Sequence, residues 1–197
     1  MKTEIKNLRK SLILETASRH FREFGYEKTQ IEKIAKELSV GVGTIYSIFG
    51  SKEGIFASHI YSVIEKSFEE IKELVKNVKS PLEKIKIFVE YKFNYYDENK
   101  SIMRDHMKNN PFFIRDTRRG DKNPMKEIYL YLSVDIKEFL SQPDINKKHL
   151  ISDDYYHHAL LLDSIVNSII ERFCDEDTKL IKKTPLALNM FTNTLGI

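Results

Sequence analysis

A chain of 197 residues with 41% apolar and 31% charged positions has the composition of an ordinary globular protein, long enough to build a core without disulfides. Its single cysteine, Cys174, excludes an internal disulfide and a thiolate zinc cluster, and seven glycines with five prolines are too few for a turn-rich β-sandwich. The net charge is only +3, but residues 1–52 hold ten Lys/Arg against six Asp/Glu, so the positive excess lies in the N-terminal quarter, where a polyanion would dock.

Met1 to Lys10 is charged and lacks the apolar centre of a signal peptide. The most apolar stretch, Ala159 to Ile170, is interrupted by Asp163 and Asn167 and falls short of the roughly 20 residues a bilayer span needs. The expected location is therefore the cytoplasm, with no membrane partner.

Helical periodicity then runs along the whole chain. Ile13, Ala17, Phe21 and Phe24 recur at three-to-four spacing, which predicts one buried stripe on a first helix, stopped at Gly25. Thr29 with Glu32 three residues on has the capping-box pattern and opens a short second helix, buried through Ile31, Ile34, Ala35 and Leu38 and ending near Ser39. A third helix is expected from about Val42 to Phe49, with Ile45 and Phe49 on its core side and Gly50 ending it. Ser51 caps a long fourth helix that continues to about Asn77.

Pro81 suits the first turn of a fifth helix reaching about Asn99. A shorter helix over Ile102–Asn109, a looser stretch from Pro111 to Pro124 and a helix over Met125–Leu140 follow. Ser152 is expected to cap a long helix through Phe173, and Thr184–Pro185 to begin the last one. No period-two strand pattern appears, so the fold class is all-α.

Residues 30–50 thus form two short helices around a tight turn. That is the helix-turn-helix arrangement, whose second helix enters the major groove of DNA. The pair needs a small shared core, here Ile34, Ala35, Val40, Ile45 and Phe49, and small residues such as Gly41 and Gly43 where the second helix approaches closely. The runs Gly25 to Ala35, Val40-Gly41-Val42-Gly43-Thr44-Ile45-Tyr46 and Phe49-Gly50-Ser51-Lys52-Glu53 resemble the signature of the TetR family of transcriptional regulators over about residues 8–56.

That resemblance implies a three-helix DNA-binding domain at residues 1–50. A long helix would join it to a helical effector-binding and dimerisation domain at residues 51–197. It further implies a repressor that releases a double-stranded DNA operator when a small molecule binds. Thr29 at the start of helix two, Thr44 and Tyr46 beside the groove, and Lys52 at the start of helix four would hold phosphates, and Gln30 is a further DNA-binding candidate. Val42, Gly43 and Ser47 would face base edges.

The match has departures. The family usually has Gly where Ser39 stands and Ser or Thr where Gly41 stands, and Ile48 replaces a polar or aromatic residue that often touches the DNA backbone. Val42 and Gly43 bring no side-chain hydrogen bond to a base, so direct readout would be apolar, and phosphate contacts and DNA shape would carry more of the recognition.

Further on, aromatic residues concentrate. Phe88, Tyr91, Tyr95, Met103, Met107 and Phe113 are candidates for the lining of a site for an apolar or aromatic effector between helices four to eight, with core packing as the competing reading. The helix Ser152–Phe173 is apolar nearly all round and presents Leu161, Ile165, Ser168, Ile169 and Arg172 in one direction. The resemblance implies that this helix and the last one form a homodimer interface.

His106, His157 and His158 lack a third and fourth ligand at recognisable spacing, so no metal is assigned. No cofactor fingerprint, P-loop, nucleophile elbow or H-E-x-x-H motif occurs, and the chain is read as non-enzymatic. The alternative is a helical ligand- or protein-interaction module with weak or no specific DNA binding.

Overall fold

The structure, a computed structural model, describes residues 2–100, 125–146 and 154–197. In chain order the helices are α1 (Lys2–Lys28), α2 (Ile31–Glu37), α3 (Val42–Phe49), α4 (Lys52–Val75), α5 (Pro81–Glu98), α6 (Met125–Leu140), α7 (Tyr155–Phe173) and α8 (Thr184–Leu195), with a 3-10 turn at Leu180–Lys183 before the last. No strand occurs among the described residues. The expected helix over Ile102–Asn109 and the stretch Pro111–Pro124 lie outside the described residues, as does Ser152.

The described residues fall into two compact units, the first running to Lys66 and the second beginning at Ser67. The N-terminal unit is built on Ile13, Ala17 and Phe21 of α1, Ile31, Ile34 and Ala35 of α2, and Ile45 of α3, completed by Ile55 and Phe56. The last two belong to α4, so packing carries this unit into the fourth helix, past the boundary after residue 50 drawn from sequence. Phe56 sits edge-on to Phe21, with ring centroids 4.9 Å apart, and meets Tyr26 at 5.0 Å.

The stripe on α1 differs from expectation at one end. Phe24 is 47% exposed, while Thr16 and His20 take inner positions. Three residues beyond Phe21, Phe24 has rotated off the inward face; its ring lies 5.5 Å from that of His20. Gly25 then breaks the helix at φ 77, in the left-handed region that favours glycine.

The capping box at Thr29 does not form. Gln30 is the N-cap residue of α2 and makes no side-chain cap bond. Thr29 is buried instead, and its hydroxyl donates to the carbonyls of Gly25 (2.7 Å) and His20 (3.2 Å), tying the end of α1 to the start of the motif.

In the C-terminal unit α5, α6, α7 and α8 pack around Ile85, Val89, Phe93, Ile136, Leu162 and Val166. The Ser80 hydroxyl caps α5 by accepting from Glu83 N (3.3 Å), and Pro81 occupies its first turn as expected. Asp154 caps α7, accepting from His157 N (3.2 Å). The same carboxylate lies 2.6 Å from His157 Nδ1, a bond that holds it below the usual carboxylate range.

Two lysine–carboxylate pairs enter this interior. Lys92 of α5 reaches Asp163, which is fully buried and also accepts from Tyr129 Oη (2.8 Å) and Asn167 Nδ2 (3.0 Å). Lys84 donates to Asp135 at 2.9 Å, and that bond raises the lysine pKa. Asp97 accepts from Leu180 N at 2.8 Å, fixing the start of the 3-10 turn.

Candidate nucleic-acid interface

Helix α3 is held by one buried side chain, Ile45, while Val40, Val42, Ile48 and Phe49 pack at the edge of the same core. Its backbone starts at Gly41 without a side-chain cap and ends at Gly50, where φ is 79 and the N–H bonds to the Tyr46 carbonyl at 2.8 Å. Ile48 is therefore half-buried against the core edge, which explains an aliphatic residue where a phosphate-contacting one is usual.

The side of α3 away from the core presents Gly43, Tyr46 and Ser47, all exposed, with Val42 and Thr44 partly so. A Cβ placed on Gly43 would meet nothing within 4 Å, so glycine there is not required by packing. The Ser47 hydroxyl donates to its own helix at Thr44 O (2.8 Å), leaving its lone pairs outward. Tyr46 is 38% exposed.

Lys52 is positioned rather than free. Its ammonium donates to Glu27 O at 3.1 Å and stands 4.7 Å above the Tyr26 ring. Tyr26 in turn donates its hydroxyl to Glu53 (3.0 Å); burial first, and then this bond, push the phenol pKa up and keep it neutral. The lysine retains two further N–H donors at the mouth of the motif. Of the two residues expected at the start of α2, Gln30 is exposed, whereas the Thr29 hydroxyl is turned inward onto backbone carbonyls.

Three supporting features escaped sequence reasoning. Arg19 and His20 of α1 both bond Glu37 at the end of α2, His20 Nε2 at 3.0 Å, and these bonds, the histidine's first, lower the Glu37 pKa. Ser18 links to the buried His59 at 2.7 Å. The single Ser18 hydrogen is given to Leu14 O (2.7 Å), so the proton in the link belongs to His59 Nδ1. At Gly54 a Cβ would lie 2.0 Å from Phe49 O, so only glycine admits the close approach of α4 to the end of α3. That last feature had a signal, a glycine in the first turn of a helix; the two long-range pairings had none.

In the C-terminal unit the expected effector residues divide. Phe88 is buried, with Lys92 Nζ 5.9 Å from its ring centre. Tyr91 and Tyr95 are half-buried, and Tyr91 donates its hydroxyl to Glu70 at 2.6 Å, with its pKa pushed up to about 12 by burial and that bond. Met103, Met107 and Phe113 lie outside the described residues. Of the expected dimer residues, Ile165 and Ile169 are already buried within the chain and serve its own core. Leu161 is half-buried, and Ser168 and Arg172 are exposed.

Residues 13–58 match the model of the family "Bacterial regulatory proteins, tetR family". Over 62 residues the chain is 42% identical to the HTH-type transcriptional regulator YhgD of Bacillus subtilis, covering 32% of each chain. Over 93 residues it is 31% identical to the fatty acid metabolism regulator protein of the same organism, covering 46% of this chain and 48% of that one. The chain thus spans half or less of these relatives' own length.

Solved structures extend the likeness in fold. The regulator FadR from Bacillus subtilis in complex with stearoyl-CoA aligns with TM-score 0.65 at 19% identity, covering 92% of this chain and 96% of that one. FadR from Bacillus halodurans aligns with TM-score 0.67 at 17% identity over 94% and 95%. FadR from Thermus thermophilus in complex with lauroyl-CoA gives 0.62 at 17% over 92% of each.

Proposed function

We propose that the chain, whose residues 13–58 match the tetR family model, is a transcriptional repressor of that family that leaves its operator when an apolar effector binds the C-terminal unit. The observation that carries the DNA-binding half is the outward face of α3, anchored by Ile45 and presenting Gly43, Tyr46 and Ser47. Thr44, Tyr46 and Lys52 supply phosphate grip, and Val42 and Gly43 offer an apolar face to the bases. The protein acts as a homodimer, since two recognition helices about 34–36 Å apart reach successive major grooves. Leu161, Ser168 and Arg172 of α7, with Leu186 and Met190 on the exposed side of α8, form the face that meets its mate.

The effector reading is supported by the aromatic face of α5 and by the acyl-CoA ligands of the FadR neighbours; an acyl thioester is the ligand class to try first. Such a ligand changes DNA affinity only through its different affinity for the DNA-competent and released states. A gel shift with DNA from upstream of the protein's own gene tests the whole reading. Affinity should fall at least about tenfold between 50 and 200 mM salt. Tyr46→Phe should weaken binding by about fivefold per half-site, the worth of one hydrogen bond of about 1 kcal/mol. An acyl-CoA should release the complex. Binding that ignores both salt and Tyr46 would instead support an interaction module that kept the fold.

A further inference from the structure

Helix α6 packs Ile128, Leu132, Ile136 and Phe139 inward. Its opposite side is apolar at the centre: Leu130 is 48% exposed, Tyr131 37% and Val134 63%. Exposed charges flank this centre, Lys126 and Glu127 towards the N-terminus and Lys137 and Glu138 towards the C-terminus. A helix on a protein surface ordinarily turns polar residues outward. Isolated exposed apolar residues are common, but Leu130 and Val134 lie one turn apart beside Tyr131, and a joined patch rimmed by charge marks a docking face.

We propose that this face packs antiparallel against the same face of a second copy of the chain, about a twofold axis at the level of Leu132. The surface pattern is complementary to its own reverse about that point. Leu130 meets Val134 of the second copy, Glu127 meets Lys137, and Lys126 meets Glu138, each pair occurring twice. A twofold contact requires this reciprocity, in which residue i of one copy touches j of the other and j touches i. A parallel pairing would set Glu127 against Glu127 and Lys137 against Lys137, so charge selects the antiparallel one.

Glu138 lies within electrostatic reach of Lys84 on its own chain, and the charges of the patch are exposed. The Lys137 ammonium stands over the Tyr155 ring, 6.0 Å from its centre. Tyr131 rests edge-on against Phe68, with centroids 5.5 Å apart. One helix pair buries less than the roughly 1,200 Å² of a stable interface, so the association is weak and concentration-dependent. The α6 face is distinct from the α7–α8 face proposed for the operator-binding dimer and does not rest on it. Together the two faces would join dimers into tetramers.

Sedimentation velocity on the full chain, from about one to several hundred micromolar, tests this. Val134→Glu should abolish the concentration-dependent step without loss of helicity, because the side chain it replaces is mostly in solvent. Glu127→Lys and Lys137→Glu should each weaken association about tenfold, and the two together should restore it, since reversal of both ends re-forms the pairs. If Val134→Glu leaves a dimer that forms no tetramer, both faces stand. If it leaves a monomer, α6 makes the basic dimer, and the α7–α8 reading falls while this one holds. Self-association unchanged by Val134→Glu, or a double reversal no better than the singles, would overturn the proposal and leave the patch to a different macromolecule.

Discussion

The N-terminal unit fills its interior with hydrocarbon and a few polar groups, Thr16, His20, Thr29 and His59, whereas the C-terminal unit carries the lysine–carboxylate pairs Lys92–Asp163 and Lys84–Asp135 inward. The first arrangement needs little coordination at a distance. Thr29 is satisfied close by, at the carbonyl of Gly25, and the histidines reach no further than Ser18 and Glu37 within the same unit. In the second, Lys92 and Asp163 are 71 positions apart in sequence, and neither charge is tolerable in the interior without the other. The two units should therefore respond in opposite ways to substitution and to acid.

The largest expected effect is on the C-terminal side. Lys92→Met removes the ammonium paired with the fully buried Asp163 carboxylate, and should cost about 3–5 kcal/mol. Hydrogen exchange resolves where the loss falls: amides of α5 and α7 should lose protection while those of α2 and α3 hold. If both units lost protection equally, or neither did, charge burial would not be what separates them.

Acid should act on the N-terminal side. Burial first, and then the nearby Arg22 charge, lower the His59 pKa to about 4 from an ordinary value of 6.5. The folded state then binds fewer protons than the unfolded chain between those values. Stability is unaffected by this group above pH 6.5 and falls as the pH drops toward 4, by about 1.4 kcal/mol per pH unit and up to about 3 kcal/mol in all. Denaturation of the N-terminal unit across that window should show the slope, and His59→Gln should flatten it. A slope retained in the variant would assign the acid sensitivity elsewhere.

The same contrast explains what could be read in advance. Helices α3, α5, α6 and α8 follow from local signals: Gly50 after Phe49, Pro81 and Pro185 in first turns, and a regular apolar repeat from Met125 to Leu140. The exposed residues of α3 follow too, because a helix pinned by Ile45 turns its other side outward. Thr29 misled because a hydroxyl before a helix normally turns forward to cap it, and here backbone carbonyls behind it compete for its hydrogen. The core role of Ile165 and Ile169 was hidden for another reason. An apolar helix is apolar toward its own chain and toward a mate alike, and periodicity does not separate the two.

The smallest effect lies in the turn between α2 and α3. Three chain reversals, at Gly25, Gly50 and Gly196, place glycine at φ between 73 and 79, but Ser39 adopts φ 53 with a Cβ. A left-handed residue with a side chain costs roughly 1–2 kcal/mol. Replacement by glycine removes that cost and returns about 0.5–1 kcal/mol through the greater freedom of the unfolded chain. Ser39→Gly should thus stabilise the N-terminal unit by about 0.5–1 kcal/mol and leave α5–α8 untouched. Ser39→Val should destabilise it, because a β-branched side chain tolerates that region least. Thermal unfolding of the two variants brackets the strain, and a lower transition for Ser39→Gly would mean that the serine side chain contributes more to the turn than its backbone geometry costs.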